Sequence, residues 1–325
     1  ITLGDPSGIG PEIVLKALKK IPEKENIIVF GSKKVLAFYE ALINLHVNLS
    51  NLKIITSEEQ LTDKKGHVLF DIDNIEEIFP GKLNMNSGKA AFEYIKKATE
   101  FALKGTVSAI VTAPINKAAV QSAGYKFNGH TEILSYLTKT HKCYMLLYSE
   151  KLSAAHVTTH ISLKKVSNTL KINNIVEVVK LVNEFYHKLG KKAKIGVSCL
   201  NPHCGEGGIF GNEEIEIIGP AIKYLKETSN INIQGPFPAD TIFLRGIKGE
   251  FDVIIAMYHD QGHIPMKLIA FHKTVDVTLG LPIIRTSVDH GTAFDIVGKG
   301  VADETNLLEA YELAKKLCFR LYKFV

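Results

Sequence analysis

Three histidines that follow apolar segments are the residues of this sequence best suited to chemistry. The run V-I-I-A-M-Y (253–258) is typical of a buried parallel strand and leads into His259. Two further apolar runs end at His160 and His203. Because ligands of open α/β sheets bind outside the carboxyl ends of the strands, we expect the three imidazoles to converge. Three neutral imidazoles with an open coordination position suit Zn²⁺ as a Lewis acid, and Co²⁺, Mn²⁺ or Mg²⁺ are alternatives.

Two alternatives bear on this metal site. His156 and His160 are four residues apart, a spacing at which a helix would place both rings on one ion. The β-branched residues between them favour a strand, in which the rings would be about 13 Å apart, so we expect only His160 to bind. The other alternative is that the three histidines lie at separate strand ends and bond only to backbone. Asp260, next to His259, is a candidate general base or a carboxylate that supports the metal ligand.

Several residues near predicted strand ends could bind an anionic substrate. The run G-D-P-S-G-I-G-P-E (4–12) is a strand–loop–helix junction whose helix N-terminus favours an anion, and a structural turn explains it equally well. In the motif G-H-T-E, Thr131 could cap the following helix and His130 could face a cleft, or the motif could be an ordinary capping box. Lys267 and Arg285 suit phosphate or carboxylate, with surface ion pairs as the alternative.

Alternating apolar strands and amphipathic helices must position these residues. The alternation is typical of βαβ units and predicts an α/β fold with a mostly parallel sheet, arranged in two lobes that share a cleft. The predicted strands are 1–4, 27–30, 52–56, 109–112, 195–200, 253–258 and 275–279. The predicted helices are 11–20, 33–44, 88–103, 133–138, 174–189, 213–227 and 304–322. Apolar runs on both sides of residues 149–151 predict a hairpin within 144–160, an antiparallel addition to the sheet.

Composition narrows the class of protein. With 325 residues, 46% of them apolar, the chain can bury one large core or two medium ones. The net charge of +5 comes from 39 basic and 34 acidic residues that are dispersed, which argues against nucleic-acid binding. No apolar run reaches the roughly 18 residues of a membrane span, and no signal peptide is visible. The four cysteines lack metal-binding spacing and are expected to be reduced thiols, which predicts a cytoplasmic metabolic enzyme.

Eight motifs, in order along the chain, resemble the 4-hydroxythreonine-4-phosphate dehydrogenase family of pyridoxal phosphate biosynthesis. They are G-D-P-S-G-I-G-P-E-I (4–13), T-A-P-I-N-K (112–117), G-H-T-E (129–132), T-T-H (158–160), N-P-H-C-G-E-G-G (201–208), G-P-F-P-A-D-T (235–241), Y-H-D-Q-G (258–262) and V-T-L-G-L-P-I-I-R-T-S-V-D-H-G-T-A (277–293). Both ends of the chain also look like the isocitrate and isopropylmalate dehydrogenases, whose nucleotide loop is similar to H-G-T-A-F-D-I-V-G-K-G (290–300).

The resemblance implies a two-lobed α/β/α subunit and a homodimer whose active sites draw on both subunits. The nucleotide-side lobe would contain residues 1–125 and 275–325, and the metal- and substrate-side lobe residues 126–274. The resemblance implies metal ligation by His160, His203 and His259, in agreement with the strand-end argument, and nicotinamide binding by His290 and Gly291. The substrate positions that it implies are His130, Thr131, Lys267, Asp276 and Arg285. Asp276 departs from the family, which has asparagine there, and a carboxylate beside an anionic substrate is unfavourable unless a cation compensates.

The activity implied by the resemblance is a metal-dependent oxidation linked to NAD or NADP. The substrate would be 4-hydroxythreonine 4-phosphate, oxidised at its C3 hydroxyl and then decarboxylated to 3-amino-2-oxopropyl phosphate. His263 and the run T-H-I-S-L-K-K (159–165) look closer to a sister branch that oxidises 4-phospho-D-erythronate or 4-phospho-D-threonate, which is the alternative. Phosphate acyltransferases have a related architecture and need neither metal nor nicotinamide, so they form a competing class. A non-catalytic metabolite-binding protein is a third possibility.

Overall fold

The computed structural model describes residues 1–45, 52–61 and 66–321, which form alternating strands and helices. The strands are β1 Ile27–Gly31, β2 Lys53–Ile55, β3 His67–Asp71, β4 Ala109–Thr112, β5 Tyr144–Tyr148, β6 Ser153–His156, β7 Ile195–Ser198, β8 Ile233–Phe237, β9 Val253–Ala256, β10 Val275–Leu279 and β11 Ile284–Val288. The helices are α1 Gly10–Lys20, α2 Lys33–Leu42, α3 Met85–Leu103, α4 Lys117–Ser122, α5 His130–Thr138, α6 Val166–Thr169, α7 Ile172–Lys188, α8 Gly219–Thr228, α9 Ala239–Ile247, α10 His259–Ala270 and α11 Thr305–Leu321. No helix within these ranges is long and apolar enough to cross a membrane.

The chain divides into two compact units, and the first contains Ile1–His141 and Leu281–Lys315. Strands β1, β3 and β2 form a parallel sheet in it, with β3 in the centre. Strand β11 pairs in parallel with β4, which places Arg285 opposite Ile110. The first unit is therefore built from both ends of the sequence.

Apolar packing in the first unit fixes the start of helix α5. Ile133 and Leu134 of α5 are fully buried against Phe92 and Ile95 of α3 and Val120 of α4. Fully burying one such aliphatic side chain contributes about 1.5–3 kcal/mol to stability. The first turn of α5, which carries two of the predicted substrate-binding residues, is thus attached to a packed three-helix cluster.

The second unit contains Lys142–Gly280, together with residues 316–321. The strand order of its sheet is β10-β5-β6-β9-β7-β8. Strand β5 runs antiparallel to β6 and β10, and the other pairs are parallel. This arrangement confirms the predicted α/β fold with a mostly parallel sheet and an antiparallel addition. Because β6, β9 and β7 are parallel neighbours, their carboxyl ends meet at one edge of the sheet.

Helix α10 is held to that edge by apolar packing and by one buried amide. Met266 of α10 packs in a cluster with Leu147 of β5 and Ile254 of β9. Gln261 accepts the backbone N–H of Met257 through Oε1 at 2.6 Å and donates from Nε2 to the carbonyl oxygen of Cys199 at 2.7 Å. One side chain in the first turn of α10 therefore joins the ends of β9 and β7, and the residues of that turn have a rigid support.

Most predicted elements are present, with different limits. Strands β4 and β10 begin and end at the predicted residues, and β5 and β6 form the predicted hairpin. Only Thr2 forms isolated bridges where the sequence predicts a strand over residues 1–4. The helix predicted over 213–227 contains a π-helical segment, Glu214–Ile218, before α8 begins. The last residue of the helix predicted over 304–322 lies outside the described residues. The chain passes from one compact unit to the other after His141, Gly280 and Lys315. The predicted lobe limits, 125 and 274, stay a prediction.

Helix α10 is absent from the sequence prediction. The sequence predicts a strand that extends to Tyr258, whereas β9 ends at Ala256 and the helix begins at His259. Gly262 and Pro265 disfavour a helix interior, so propensity alone argues against α10. Tertiary packing and the Gln261 hydrogen bonds override that propensity, and His259 is consequently the first residue of a helix.

Candidate active site

His259 makes the contact with a carboxylate that is typical of a metal-ligating histidine. Its Nδ1 lies 2.7 Å from Oδ1 of Asp260. Because a carboxylate oxygen accepts, Nδ1 donates to Asp260, and in the neutral form of the ring Nε2 keeps its lone pair for a ligand. The ring centroid of His160 lies 5.7 Å from that of His259. Two of the three predicted metal ligands are therefore neighbours.

His156 and His263 extend this pair to a cluster of four imidazoles. The ring centroid of His156 lies 6.3 Å from that of His259 and 4.7 Å from that of His263. Strand β6 ends at His156 and not at His160, so the predicted end of this strand is wrong by four residues. Burial, followed by the charges of neighbouring histidines, lowers the pKa of His156 to about 3 and that of His263 to about 4. Both imidazoles are therefore neutral near pH 7.

The loop that carries His203 is closed by a disulfide. Cys199 and Cys204 are bonded, with Cα atoms 5.1 Å apart, so the prediction of reduced thiols is wrong for this pair. Cys143 and Cys318 keep their thiol groups. His203 is exposed and has a φ of 50°, in the left-handed region that side chains seldom adopt. The cross-link thus constrains a strained segment that contains a predicted metal ligand.

The buried side chain of Glu214 holds the same loop by hydrogen bonds. Its Oε1 accepts the backbone N–H groups of Leu200 and Asn201, both at 2.8 Å, and its Oε2 accepts Nδ2 of Asn201 at 2.9 Å. The side chain is buried, and a buried carboxylate needs such donors to offset its desolvation. The backbone just before His203 is therefore held by hydrogen bonds as well as by the disulfide.

Thiol labelling checks the disulfide directly. In denaturant without a reductant, iodoacetamide is expected to modify Cys143 and Cys318 only, and all four cysteines after reduction, as counted by mass spectrometry. Denaturant is needed because burial raises the pKa of Cys318 to about 11, which slows its alkylation in the folded protein. Cys204→Ser is expected to lower the free energy of unfolding by about 2 kcal/mol, since it removes the closure of a short loop. Cys143→Ser is the matched control, and four modified thiols without a reductant would contradict the disulfide.

The three predicted metal ligands are only partly assembled. Over residues 1–45, 52–61 and 66–321, no group of three or more His, Cys, Asp or Glu side chains is arranged to hold a metal ion. His160 and His259 lie together, whereas the ring centroid of His203 lies 6.4 Å from that of Phe210 and His203 completes no such group. The pair has the right donor chemistry, because imidazole is a preferred ligand of Zn²⁺ and Asp260 leaves Nε2 of His259 available. The site with three histidines stays a prediction.

In the first unit, Arg285 is an enclosed cation. Only 1% of the surface of Arg285 is exposed to solvent. Nε and Nη2 donate to Oγ1 of Thr112 at 3.2 and 2.8 Å, and this hydroxyl donates to Oγ of Ser287 at 2.9 Å. A positive charge in low-dielectric surroundings acts strongly on an anion that comes close to it. The surroundings of Arg285 are therefore suited to phosphate or carboxylate.

His130 lies at the start of α5, within the electrostatic influence of Arg285. Burial is the main cause that holds the pKa of His130 well below its usual range, and the charges of Arg285 and Lys117 lower it further. His130 is consequently neutral. Among the described residues, its Nε2 has no hydrogen-bond partner. Gly129 occupies the N-cap position of α5, so the predicted cap by Thr131 is wrong.

The loop over residues 4–12 is a tightly packed turn. A Cβ on Gly10 would lie 2.2 Å from the carbonyl oxygen of Leu3, so this position requires glycine. Asp5 is fully buried and accepts the backbone N–H of Ser7 at 2.8 Å. Burial raises the pKa of Asp5 to about 6. These contacts favour the structural turn over the alternative of an anion-binding loop.

The remaining predicted site residues contact protein groups only. Nζ of Lys267, on α10, lies 5.4 Å from the ring centroid of Phe271. Asp276 is partly buried in β10. Nδ1 of His290 donates to the carbonyl oxygen of Gly291 at 3.0 Å. None of these contacts identifies a ligand, so the substrate and nicotinamide roles of these residues stay predictions.

Three residues of these clusters were outside the sequence-based candidates. Lys117 ends the motif T-A-P-I-N-K, and that position is the signal in the sequence for this cation. His263 follows His259 by four residues, which is a helical spacing, but the sequence predicts no helix there. A strand that continued to His160 would keep the ring of His156 away from that of His160, but β6 ends at His156.

Comparison with known proteins gives similarities over nearly the whole chain. The family described as pyridoxal phosphate biosynthetic protein PdxA matches residues 23–314. A protein of Oceanobacillus iheyensis, provisionally named D-threonate 4-phosphate dehydrogenase, is 46% identical over 98% of this chain and 96% of its own. A 4-hydroxythreonine-4-phosphate dehydrogenase of Sulfurihydrogenibium sp. is 42% identical over 97% of this chain and 96% of its own. The crystal structure of a 4-hydroxythreonine-4-phosphate dehydrogenase from Klebsiella pneumoniae has a TM-score of 0.85 and 40% identity, with 98% of each chain covered.

Proposed function

The chain belongs to the family of the pyridoxal phosphate biosynthetic protein PdxA, and on this premise we propose that it oxidises D-threonate 4-phosphate. It is an oxidoreductase of the 4-hydroxythreonine-4-phosphate dehydrogenase type. The observation that carries the choice of substrate is the similarity to the Oceanobacillus protein, which is named for D-threonate 4-phosphate. The second candidate substrate is 4-hydroxythreonine 4-phosphate, which the sequence motifs favour and for which the Sulfurihydrogenibium and Klebsiella proteins are named.

The two candidate substrates call for the same reaction. Each has a carboxylate, a C3 hydroxyl and a terminal phosphate, and they differ by a hydroxyl or an amino group at C2. Oxidation at C3 would remove the hydroxyl proton to a base, pass hydride from C3 to NAD⁺ or NADP⁺, and give a β-keto acid. Loss of CO₂ from that acid leaves a three-carbon keto phosphate, which is 3-amino-2-oxopropyl phosphate for the amino substrate. The amino substrate would place the enzyme in pyridoxine biosynthesis, and the hydroxy substrate in sugar-acid catabolism.

We propose that His160, His203 and His259 hold a divalent metal ion, with Zn²⁺ as the first candidate and Mg²⁺, Mn²⁺ or Co²⁺ as alternatives. Such an ion would supply Lewis-acid chemistry by lowering the pKa of a bound hydroxyl. Asp260 retains the proton on Nδ1 of His259, which directs the Nε2 lone pair to the ligand. This contact supports a role for Asp260 in orienting the metal ligand, and its role as general base is the alternative.

We propose that the cations of the first unit bind the acidic groups of the substrate. Arg285 supplies an enclosed positive charge, and Lys117 adds a second that also acts on His130. His130 is neutral, so a hydrogen bond between its Nε2 and a phosphate or hydroxyl oxygen would not require a buried charge on the ring. Thr131, Lys267 and Asp276 complete the proposed substrate-binding set. His290 and Gly291 are proposed to contact the nicotinamide cofactor.

The proposed assembly is a homodimer in the cytoplasm, with active sites that use residues of both subunits. The proposed nucleotide-side lobe is residues 1–125 with 275–325, and the proposed metal- and substrate-side lobe is residues 126–274. The resemblance of the motifs to the family supports the homodimer and a two-lobed subunit. The compact units divide after His141, Gly280 and Lys315 and not at the proposed lobe limits. Size-exclusion chromatography with light scattering measures the assembly state, and a monomer with full activity would contradict the shared site.

Steady-state kinetics test the substrate. The purified protein, supplied with Zn²⁺, Mg²⁺, Mn²⁺ or Co²⁺ in turn, is mixed with NAD⁺ or NADP⁺ and followed by the absorbance of the reduced nicotinamide. We expect kcat/KM for D-threonate 4-phosphate to exceed that for 4-hydroxythreonine 4-phosphate by at least about tenfold, which is about 1.4 kcal/mol in transition-state binding. D-erythronate 4-phosphate is the stereochemical control. A preference for the amino substrate would select the second candidate, and absence of nicotinamide reduction with every substrate would contradict the dehydrogenase activity itself.

A further inference from the structure

We infer that His263, oriented by His156, is a positioning residue for the imidazole of His259. The inference deepens the proposed function and rests on it, because it concerns how a proposed metal ligand is aimed. Neither His156 nor His263 belongs to the predicted ligand set. Their role follows from how they contact His259 and the sheet behind it.

The rings of His259 and His263 form a parallel stack. The two residues are one turn apart in α10, so their side chains share a face of the helix. Their ring centroids are 3.6 Å apart, and the ring planes differ by 12°. A flat neighbour at this distance restricts the side-chain rotations of His259 to those that keep the rings parallel. Because the lone pair of Nε2 lies in the ring plane, the stack also restricts its direction.

Hydrogen bonds determine which ring nitrogen carries a proton in His156 and in His263. Nδ1 of His156 lies 3.4 Å from the carbonyl oxygen of Met145, which accepts, so Nδ1 donates and Nε2 of His156 is an acceptor. Nδ1 of His263 lies 3.2 Å from that Nε2 and 3.1 Å from the carbonyl oxygen of His259. Both of these neighbours accept, so Nδ1 of His263 carries the proton. The orientation of the His263 ring is therefore set by two acceptors in fixed positions.

The rings of His156 and His263 are attached to the sheet of the second unit through His156. His156 is the last residue of β6 and is 0% exposed, and Met145 lies in the adjacent strand β5. A Cβ on Gly262 would lie 2.3 Å from Nε2 of His156, so α10 can approach this ring only with glycine at that position. The close approach of helix and strand thus brings His263 within reach of His156.

Two contacts of different strength consequently hold the ring of His259: the hydrogen bond to Asp260 and the stack with His263. The side chain of Asp260 is 68% exposed, so water competes for its contact with Nδ1 of His259. The contact between His156 and His263 is shielded by the strand, and water competes less for it. We therefore expect the stack, and not the carboxylate alone, to determine the direction of the proposed metal-ligating nitrogen.

Cobalt binding by the purified metal-free protein tests the inference. His263→Leu removes both the donor and the flat ring and is expected to weaken Co²⁺ binding about 10–100-fold, the range for partners of metal ligands. His263→Asn keeps a planar amide and an N–H near the position of Nδ1, and it is expected to weaken binding less than about threefold. His187→Asn, on the exposed surface of α7, is the matched control. Affinity is read by calorimetry, and the ligand geometry by the visible absorption of the bound cobalt.

A second measurement needs no variant. Long-range ¹H–¹⁵N spectra of the unaltered protein are expected to show that Nδ1 carries a proton in both His156 and His263. Protonation of His263 at Nε2, or His263→Leu that binds Co²⁺ as tightly as the unaltered protein, would overturn the inference. His259→Ala distinguishes failure of the proposed metal role from failure of the inference about His263. If it binds Co²⁺ normally, the proposed metal role fails and the inference fails with it, whereas loss in His259→Ala without loss in His263→Leu overturns the inference alone.

Discussion

Replacement of His259 by alanine is expected to abolish divalent-metal binding and to lower kcat/KM by at least about 1,000-fold, or about 4 kcal/mol of transition-state stabilisation. Alanine removes the nitrogen whose lone pair the Asp260 contact makes available. It also removes the ring that stacks on His263 at 3.6 Å. Metal content by mass spectrometry and nicotinamide reduction with D-threonate 4-phosphate measure the two effects on the same preparation.

The matched control for this variant is His187→Ala. His187 is exposed in α7, within the same unit, and has no proposed role. It is expected to retain the metal content and kcat/KM of the unaltered protein. Circular dichroism of both variants reports whether the fold is kept. Full turnover by folded His259→Ala protein that contains no metal would rule out the proposed metal-assisted oxidation.

Replacement of Arg285 by lysine is expected to lower kcat/KM about 100-fold, or about 2.7 kcal/mol, mainly through a higher KM. Lysine keeps the positive charge but lacks the planar fork that donates from Nε and Nη2 to Thr112. The amine is a point charge that can bind one oxygen of a phosphate but cannot reproduce the guanidinium geometry. The measurement is kcat and KM with the phosphorylated substrate, together with thermal unfolding.

The control for Arg285→Lys is the same exchange at Arg245. Arg245 forms an ion pair with Glu250 and lies over the ring of Phe237, with the guanidinium carbon 3.9 Å from the centroid. It has no proposed substrate role, so Arg245→Lys is expected to leave KM unchanged. An unchanged KM in folded Arg285→Lys protein would show that Arg285 does not bind the substrate phosphate.

The end of β6 shows why strand limits were predicted less well than strand existence. Val157, Thr158 and Thr159 favour β structure, and the backbone N–H groups of Val157 and Thr158 do bond to the carbonyl oxygens of Ala256 and Met257. Yet the strand as such ends at His156. Local propensity could predict the extended backbone but not the turn that brings the ring of His160 beside that of His259.

Helix α10 and the disulfide were unpredictable for a related reason. Gly262 argues locally against a helix, but its missing side chain is what allows α10 to approach His156. Cys199 and Cys204 have no recognised spacing, and their Cα atoms are 5.1 Å apart in a loop whose backbone is left-handed at His203. In both cases contacts between distant segments decide the conformation, and these contacts are not encoded in short-range patterns.

The burial of Arg285 is a further example. Arginine is mostly exposed in proteins, so a sequence cannot distinguish an enclosed guanidinium from a surface ion pair. The motif around residues 277–293 identified the residue, and the structure added its enclosure and its contact with Thr112. Motifs therefore identified candidate residues better than they predicted the surroundings of those residues.

The strand pairing of the first unit also constrains how the protein is made. Thr112 of β4 and Ser287 of β11 form a hydrogen bond although they are 175 residues apart. At translation rates of about 5–20 residues per second, β4 leaves the ribosome roughly 10–35 s before its partner strand exists. During that interval its exposed edge can pair with other chains, whereas Lys142–Gly280 is continuous and can fold while synthesis proceeds. Chaperone binding to ribosome-attached chains should therefore be concentrated on the segment containing β4 until β11 emerges.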